Sequence, residues 1–313
     1  MTGERASALL VVAADRNPRD LAYRLGARLP GVDVRIWPEL GDPADIAFAL
    51  AWRAPEPLFD RLPNLRAVVS LGAGADALIA RSDLDERVLI GRLAGPRLAA
   101  DMAAYLVATV IGRWKDFDRF RRLQRRAEWS PWSPERAPDV GLLGLGRLGR
   151  KAAEAFRALD IPVQGWTRSG GARDGVISTR GRSGLERLAA RCDALINLLP
   201  LTPETHGLLD ARLFASMRRD SLLVNVGRGD HLVEADLLKA LSAGRPGHAV
   251  LDVFHEEPLP VDHPFWSHPR ITVTPHCASL TSADEAAELA AESYRRVMRG
   301  EAPLDPVDRD RGY

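Results

Sequence analysis

Short apolar runs recur along the chain, each followed by a stretch of helical periodicity or by a Gly/Pro break. Residues 7–14 (Ser-Ala-Leu-Leu-Val-Val-Ala-Ala) predict a buried strand, and Asp20 to Leu29 a helix stopped by Pro30-Gly31. Residues 32–37 alternate as a strand does. Ile46 to Trp52 and Leu65 to Leu71 add two more, the latter closing in Gly72-Ala73-Gly74-Ala75-Asp76. Strands alternating with helices imply a small parallel α/β unit, with Leu71 to Gly74 at a strand's carboxyl end, where open sheets bind ligands.

From Ala99 to Gln124 one long helix is expected. Residues 127–139 then form an irregular, proline-bearing excursion whose Trp129 and Trp132 need a partner, either within the chain or across a dimer interface. Beyond it the alternation resumes. Strands are expected at 140–143, 161–166, 194–200, 221–226, 249–254 and 271–274, with helices at 183–191, 210–217 and 234–243. Five or six parallel strands make a second doubly wound sheet, and a last helix over 282–299 returns toward the first unit.

The run Val140 to Leu143 breaks into Gly144-Leu-Gly146-Arg147-Leu148-Gly149, a G-x-G-x-x-G turn between a strand and a helix. The first glycine makes the bend, the second lets backbone approach a pyrophosphate, and the third lets helix pack on strand, so these residues are expected to hold a dinucleotide. At the end of the next strand, NAD-specific sites place an acidic residue for the ribose hydroxyls. This chain has Arg168 and Ser169 there, which suit a 2′-phosphate and favour NADPH over NADH.

Composition narrows the picture. The 313 residues are 46% hydrophobic and 27% charged with a formal net charge of +1, globular values that give no reason to expect nucleic acid or a membrane surface as partner. The densest basic stretch, Arg119 to Arg126, reads as an exposed helix flank. Only Cys192 and Cys277 are present, far apart and outside any metal-ligand spacing, and no run reaches the ~18 apolar residues of a membrane helix. The expectation is a cytoplasmic protein without a structural metal.

Three ionisable residues stand just past strand ends: Arg228 in Asn225-Val-Gly-Arg-Gly229, Glu257 in Asp252-Val-Phe-His-Glu-Glu-Pro258, and His276 after Thr274-Pro275. Arg228 is suited to bind a 2-oxo acid fork-wise, and His276 to give the carbonyl oxygen a proton as hydride arrives. Glu257 would hold the His276 tautomer and support the imidazolium. The amides of Ala73 and Gly74 are candidates for the substrate carboxylate. Taken singly, each residue also has a structural explanation; their joint order after a dinucleotide turn carries the reading.

The motif series Gly144 to Gly149, Leu198-Leu-Pro-Leu-Thr-Pro-Glu-Thr205, Asn225 to Gly229, Asp252 to Leu259 and Thr274-Pro-His276 resembles the D-isomer-specific 2-hydroxyacid dehydrogenases. The resemblance implies catalytic roles for Arg228, Glu257 and His276, and cofactor contacts at Leu199, Pro200, Thr205, Val226, Gly227 and Asp252. It implies a Rossmann-type nucleotide domain, residues 98–283, inserted into a smaller flavodoxin-like substrate domain of residues 1–97 and 284–313, with the active site between them. It also implies NADPH-dependent reduction of glyoxylate and hydroxypyruvate by a homodimer, with NADH as second choice. The alternatives are a dehydrogenase of a larger 2-oxo acid and a non-catalytic dinucleotide sensor. Two departures bear on substrate identity: Gly91 to Asp101 lacks the acidic residue usual at that helix start, and Cys277 stands where an aliphatic residue is common.

Overall fold

The computed structural model describes residues 7–13 and 17–313. The chain divides into two compact units, Met1–Leu98 with Leu280–Tyr313, and Ala99–Ser279. In the first, strands β1 (Ala8–Ala13), β2 (Val34–Ile36), β3 (Ile46–Trp52), β4 (Ala67–Ser70) and β5 (Leu89–Arg92) form an all-parallel sheet in the order β2-β1-β3-β4-β5. Ala14, the end of the first expected strand, lies outside the described residues. β5 was not anticipated, because its only apolar pair, Leu89-Ile90, runs directly into Gly91-Arg92.

Alternation sorts the side chains onto two faces. Leu9, Val11, Phe48 and Leu50 pack on one side, and Leu10, Val12, Ala49 and Val68 on the other. The first face is covered by helix α1 (Pro18–Arg28), through Leu21 and Leu25, and by the chain's last helix (Ala283–Met298), through Ala286, Ala290, Tyr294 and Val297. The Tyr294 ring stands edge-on to Phe48, centroids 5.7 Å apart. A short helix, α2 (Asp76–Ile79), follows β4.

The helix expected over 99–124 is two. α3 (Pro96–Trp114) stops, Asp116 turns left-handed at φ 47°, and its carboxylate caps α4 (Phe117–Arg125) by accepting from the Arg119 N–H. No residue of α4 is buried, and beyond it Trp129 is 97% exposed and Trp132 40%. No acid occupies the first turn of α3. Instead Glu285, 4% exposed, reaches from the last helix and accepts from the Arg97 and Leu98 N–H groups at 2.8 and 3.2 Å. The negative charge that a helix start favours arrives from a distant part of the sequence.

The second unit holds strands β6 (Val140–Leu143), β7 (Val163–Trp166), β8 (Gly171–Arg173), β9 (Val176–Thr179), β10 (Ala194–Asn197), β11 (Leu222–Asn225), β12 (His248–Leu251) and β13 (Ile271–Val273). They form one sheet in the order β13-β12-β11-β10-β6-β7-β9-β8, parallel except at β8. The sheet exceeds the five or six expected strands because of the β8–β9 hairpin, turned by Asp174-Gly175 with positive φ at both residues. Helices α5 (Arg147–Arg157), α6 (Gly181–Ala189), α7 (Ala211–Ser216) and α8 (Glu234–Ser242) connect its strands, and the last helix is then α9. Leu143, Leu195, Leu223 and Leu251 fill one face, and Leu142, Ile196, Val224 and Val250 the other.

Register positions the site. Trp166, Leu143, Asn197, Asn225, Leu251 and Val273 are consecutive partners across the sheet. Parallel strands ending in register release their following loops at one edge. Segments 144–149, 167–169, 198–205, 226–231, 252–258 and 274–278 therefore leave the sheet side by side. Among the described residues, no helix is long and apolar enough to cross a membrane.

In the first unit a buried ion pair fixes the segment after β3. Arg81 grips Asp83 through Nε and Nη2 at 2.7 and 2.6 Å and donates to the carbonyls of Ala54 and Pro55. Asp83 also accepts from the Leu58 and Phe59 N–H groups. Burial opposes the Asp83 charge, but Arg81 and the two amides outweigh it and hold the carboxyl below its usual range. The stabilisation is therefore present above the ordinary carboxyl range and is lost as pH falls through the depressed value. Asp83→Ala leaves the buried Arg81 cation only the exposed Glu56, 3.7 Å from Nη1, and we expect a loss of about 3 kcal/mol in urea unfolding at neutral pH; a loss below about 1 kcal/mol would show the pair to be incidental.

Candidate active site

The glycine turn is one that side chains would strain or block. Gly144 sits at φ +97°, a conformation costly for a side chain, and a Cβ on Gly149 would collide with the Gly144 carbonyl. Gly146 is the N-cap of α5, an eleven-residue helix, and has no side-chain cap. Arg147 and Gly146 are exposed, Leu148 is half-buried, and Gly149 is buried.

Arg168 and Ser169 are exposed just past β7. The loop after β10 is held by Thr205, whose Oγ1 donates to the Pro200 carbonyl at 2.8 Å and accepts from the Thr202 N–H at 2.9 Å. Leu199 and Thr205 are buried. The Glu204 carboxyl is held below its ordinary range by the Thr202 side chain first, then its own backbone, with a smaller pull from Arg168.

Glu257 and His276 come together. His276 Nδ1 and Glu257 Oε2 are 2.8 Å apart, while Glu257 Oε1 accepts from the Phe254 N–H at 3.0 Å. Both carboxylate oxygens are thus engaged, and the imidazole Nδ1 is committed to the acid. Their side chains are 18% and 31% exposed, so the pair is sheltered yet reachable.

The turn carrying His276 is tied from below. His276 is left-handed at φ 51°, and its N–H donates to the Asp252 and Thr274 carbonyls. The Asp252 carboxylate is 2% exposed. Its Oδ1 accepts from Thr274 Oγ1 at 2.6 Å and the Cys277 N–H at 2.9 Å, and its Oδ2 from the Ala278 N–H at 3.0 Å. With the Thr274 proton spent on Asp252, Tyr105 donates to Thr274 Oγ1 at 2.8 Å. Burial pushes the Tyr105 phenol up to about 12, so it keeps that proton. Asp252, expected beside the cofactor, has its carboxylate occupied in shaping the His276 turn.

Arg228 is extended and half-buried, with Nη1 donating to the Gly227 carbonyl at 2.7 Å. Its loop is pressed on the Glu257 loop, because a Cβ on Gly229 would overlap the Phe254 carbonyl carbon. Val226 and Gly227 are buried beneath it. Ala73 and Gly74 belong to the first unit. The Ala73 carbonyl accepts from Arg92 Nη1 at 3.4 Å and the Gly74 carbonyl from Ser70 Oγ at 2.7 Å, which turns the Gly74 amide, across its trans peptide, away from Arg92.

Sequence reasoning passed over Asn197, Asn225, His231, Thr274 and Tyr105. The two asparagines carried a signal: they close adjacent strands at paired register positions, where apolar residues are the rule.

The family described as "D-isomer specific 2-hydroxyacid dehydrogenase, NAD binding domain" matches residues 107–278. A relative from Yersinia enterocolitica is 36% identical over 296 residues, spanning 92% of this chain and 94% of its own length. One from Serratia proteamaculans is 40% identical over 307 residues, spanning 95% and 97%. Both are named glyoxylate/hydroxypyruvate reductase A. A D-isomer specific 2-hydroxyacid dehydrogenase from Xanthobacter autotrophicus Py2, solved with NADPH and MES, is 39% identical with a TM-score of 0.92, covering 98% of this chain and 100% of that one. An NADPH-dependent glyoxylate/hydroxypyruvate reductase from Sinorhizobium meliloti, solved with NADP and sulfate, is 32% identical with a TM-score of 0.90, covering 98% and 100%. The chain belongs to the D-isomer specific 2-hydroxyacid dehydrogenase family, the oxidoreductases whose nucleotide-binding half corresponds to its second sheet.

Proposed function

We propose that the protein reduces small 2-oxo acids, glyoxylate to glycolate and hydroxypyruvate to D-glycerate, with NADPH. The observation that carries this reading is the His276–Glu257 pair, in which the acid holds Nδ1 of the imidazole. NADPH, when bound, supplies the hydride. Gly144, Gly146 and Gly149 would leave room for its pyrophosphate, the first amides of α5 would bind that charge, and Arg168 with Ser169 would take the 2′-phosphate. Leu199, Pro200, Thr205, Val226 and Gly227 would line the space beside them.

Arg228 would bind the 2-oxo acid through two guanidinium N–H groups, fixing the carbonyl carbon and polarising its oxygen. Protonated His276 would donate from Nε2 to that oxygen as negative charge builds on it, and Glu257 would stabilise the imidazolium before the proton leaves. The family relationship and the three glyoxylate/hydroxypyruvate reductases named above support the small substrates. The exposed Phe117, Trp129 and Trp132 support assembly as a homodimer through that face. The two unpaired cysteines suit the cytoplasm.

His276→Ala should lower kcat for glyoxylate by about 10²- to 10⁴-fold while NADPH affinity stays near wild type, since proton donation belongs to the transition state. An unchanged kcat would remove His276 from the role. Arg168→Ala should raise the Kd for NADPH by about 10- to 100-fold, the range of a lost charge-assisted contact, with little change for NADH. Fluorescence titration with both nucleotides checks this, and equal losses would place 2′-phosphate recognition elsewhere.

A further inference from the structure

His231 is fully buried at the end of the three-residue helical turn that follows Arg228, and no step proposed above uses it. Its ring nitrogens are spoken for. Nδ1 lies 3.0 Å from the Arg228 N–H and 2.9 Å from Asn197 Nδ2, and Nε2 lies 3.2 Å from the Pro200 carbonyl. A backbone N–H and an amide NH₂ can only donate, and a carbonyl can only accept. The surroundings therefore assign the neutral tautomer with its proton on Nε2. A second proton on Nδ1 would face two donors.

The neighbouring groups close the network. Asn197 Nδ2 also donates to Asn225 Oδ1 at 2.9 Å, and Asn197 Oδ1 accepts from the Leu199 N–H. Asn225 Oδ1 accepts from the Gly227 N–H, and Asn225 Nδ2 donates to the Arg228 carbonyl at 3.0 Å. Arg228 is thus held by its N–H on the imidazole and by its carbonyl on an amide, with φ −144° and ψ 154°. Its backbone direction sets where the guanidinium starts. The same ring ends on Pro200, whose carbonyl Thr205 also grips. One rigid side chain thereby ties the loop bearing Arg228 to the loop bearing Leu199 and Pro200.

We propose that His231 is a positioning residue for the reaction: as an uncharged strut it aims Arg228 at the 2-oxo acid. This rests on the reading of Arg228 as the substrate clamp. It predicts a definite chemical preference at position 231. Asparagine can present an acceptor near the Nδ1 position and so keep the Arg228 N–H engaged. Glutamine reaches toward the Nε2 position and serves only Pro200.

The test is a set of four variants, His231→Ala, His231→Asn, His231→Gln and Arg228→Ala, with the double variant His231→Ala/Arg228→Ala, assayed by glyoxylate kinetics and NADPH titration. His231→Ala should lower kcat/KM for glyoxylate by about 30- to 100-fold, as a misplaced clamp does, with NADPH Kd within about threefold of wild type. His231→Asn should recover most of the loss and His231→Gln little. In the Arg228→Ala background the His231 change should cost less than about threefold more, because its effect runs through Arg228. A His231→Ala enzyme with near-normal kcat/KM, an undiminished loss in the Arg228→Ala background, or an Asn variant as poor as Ala would each overturn the proposal. If His231→Ala does not fold, the Asn and Gln pair decides. Near-normal kinetics in Arg228→Ala alone would instead sink the clamp reading itself.

Discussion

Backbone hydrogen bonding in a parallel sheet makes neighbouring strands end at the same edge, and the second unit exploits that constraint at six consecutive strands. Trp166, Leu143, Asn197, Asn225, Leu251 and Val273 stand in one row, so the residues that follow them are neighbours in space although they span more than a hundred positions of sequence. The loops proposed to meet ligand inherit their placement from the sheet, and the sheet in turn is held by the two leucine- and valine-rich faces packed under the helices. Chemistry is then a matter of what each loop carries.

Buried polar groups set the loops' fine geometry. Asp252 spends both oxygens on the turn that presents His276 in a left-handed conformation, and Thr274 and Tyr105 back it from the α3 side. Asn197, Asn225 and His231 do the equivalent for Arg228. A hydrogen bond left unmade in such an interior is costly, so these networks are rigid for the same reason that they are complete. The groups proposed to meet substrate, in contrast, are the sheltered but accessible tips of these assemblies.

The parallel sheets, the glycine turn and the residues Arg228, Glu257 and His276 were legible because each depends on local signals: apolar runs, turn glycines and charges at strand ends. What escaped depends on distance. Nothing near Pro96 announces that Glu285, in a helix nearly two hundred residues later, will serve the start of α3. Leu89-Ile90 is too short a signal for a strand, and the strands flanking Asp174-Gly175 are too short and too polar to announce a hairpin. His231 went unremarked because only its burial and its three partners, seen together, mark it out. The resemblance implied a cofactor contact at Asp252, and motif matching alone does not reveal that its carboxylate is buried under the His276 turn.

The central claim is that Arg228 and His276, the latter held by Glu257, act on one small oxo acid. A crystal structure of the protein with NADP and oxalate, which mimics a planar 2-oxo acid, tests it most directly. The account predicts the anion against the Arg228 guanidinium, with one of its oxygens within hydrogen-bonding distance of His276 Nε2. Oxalate bound away from Arg228, or an imidazole turned from it with the Glu257 contact broken, would contradict the account.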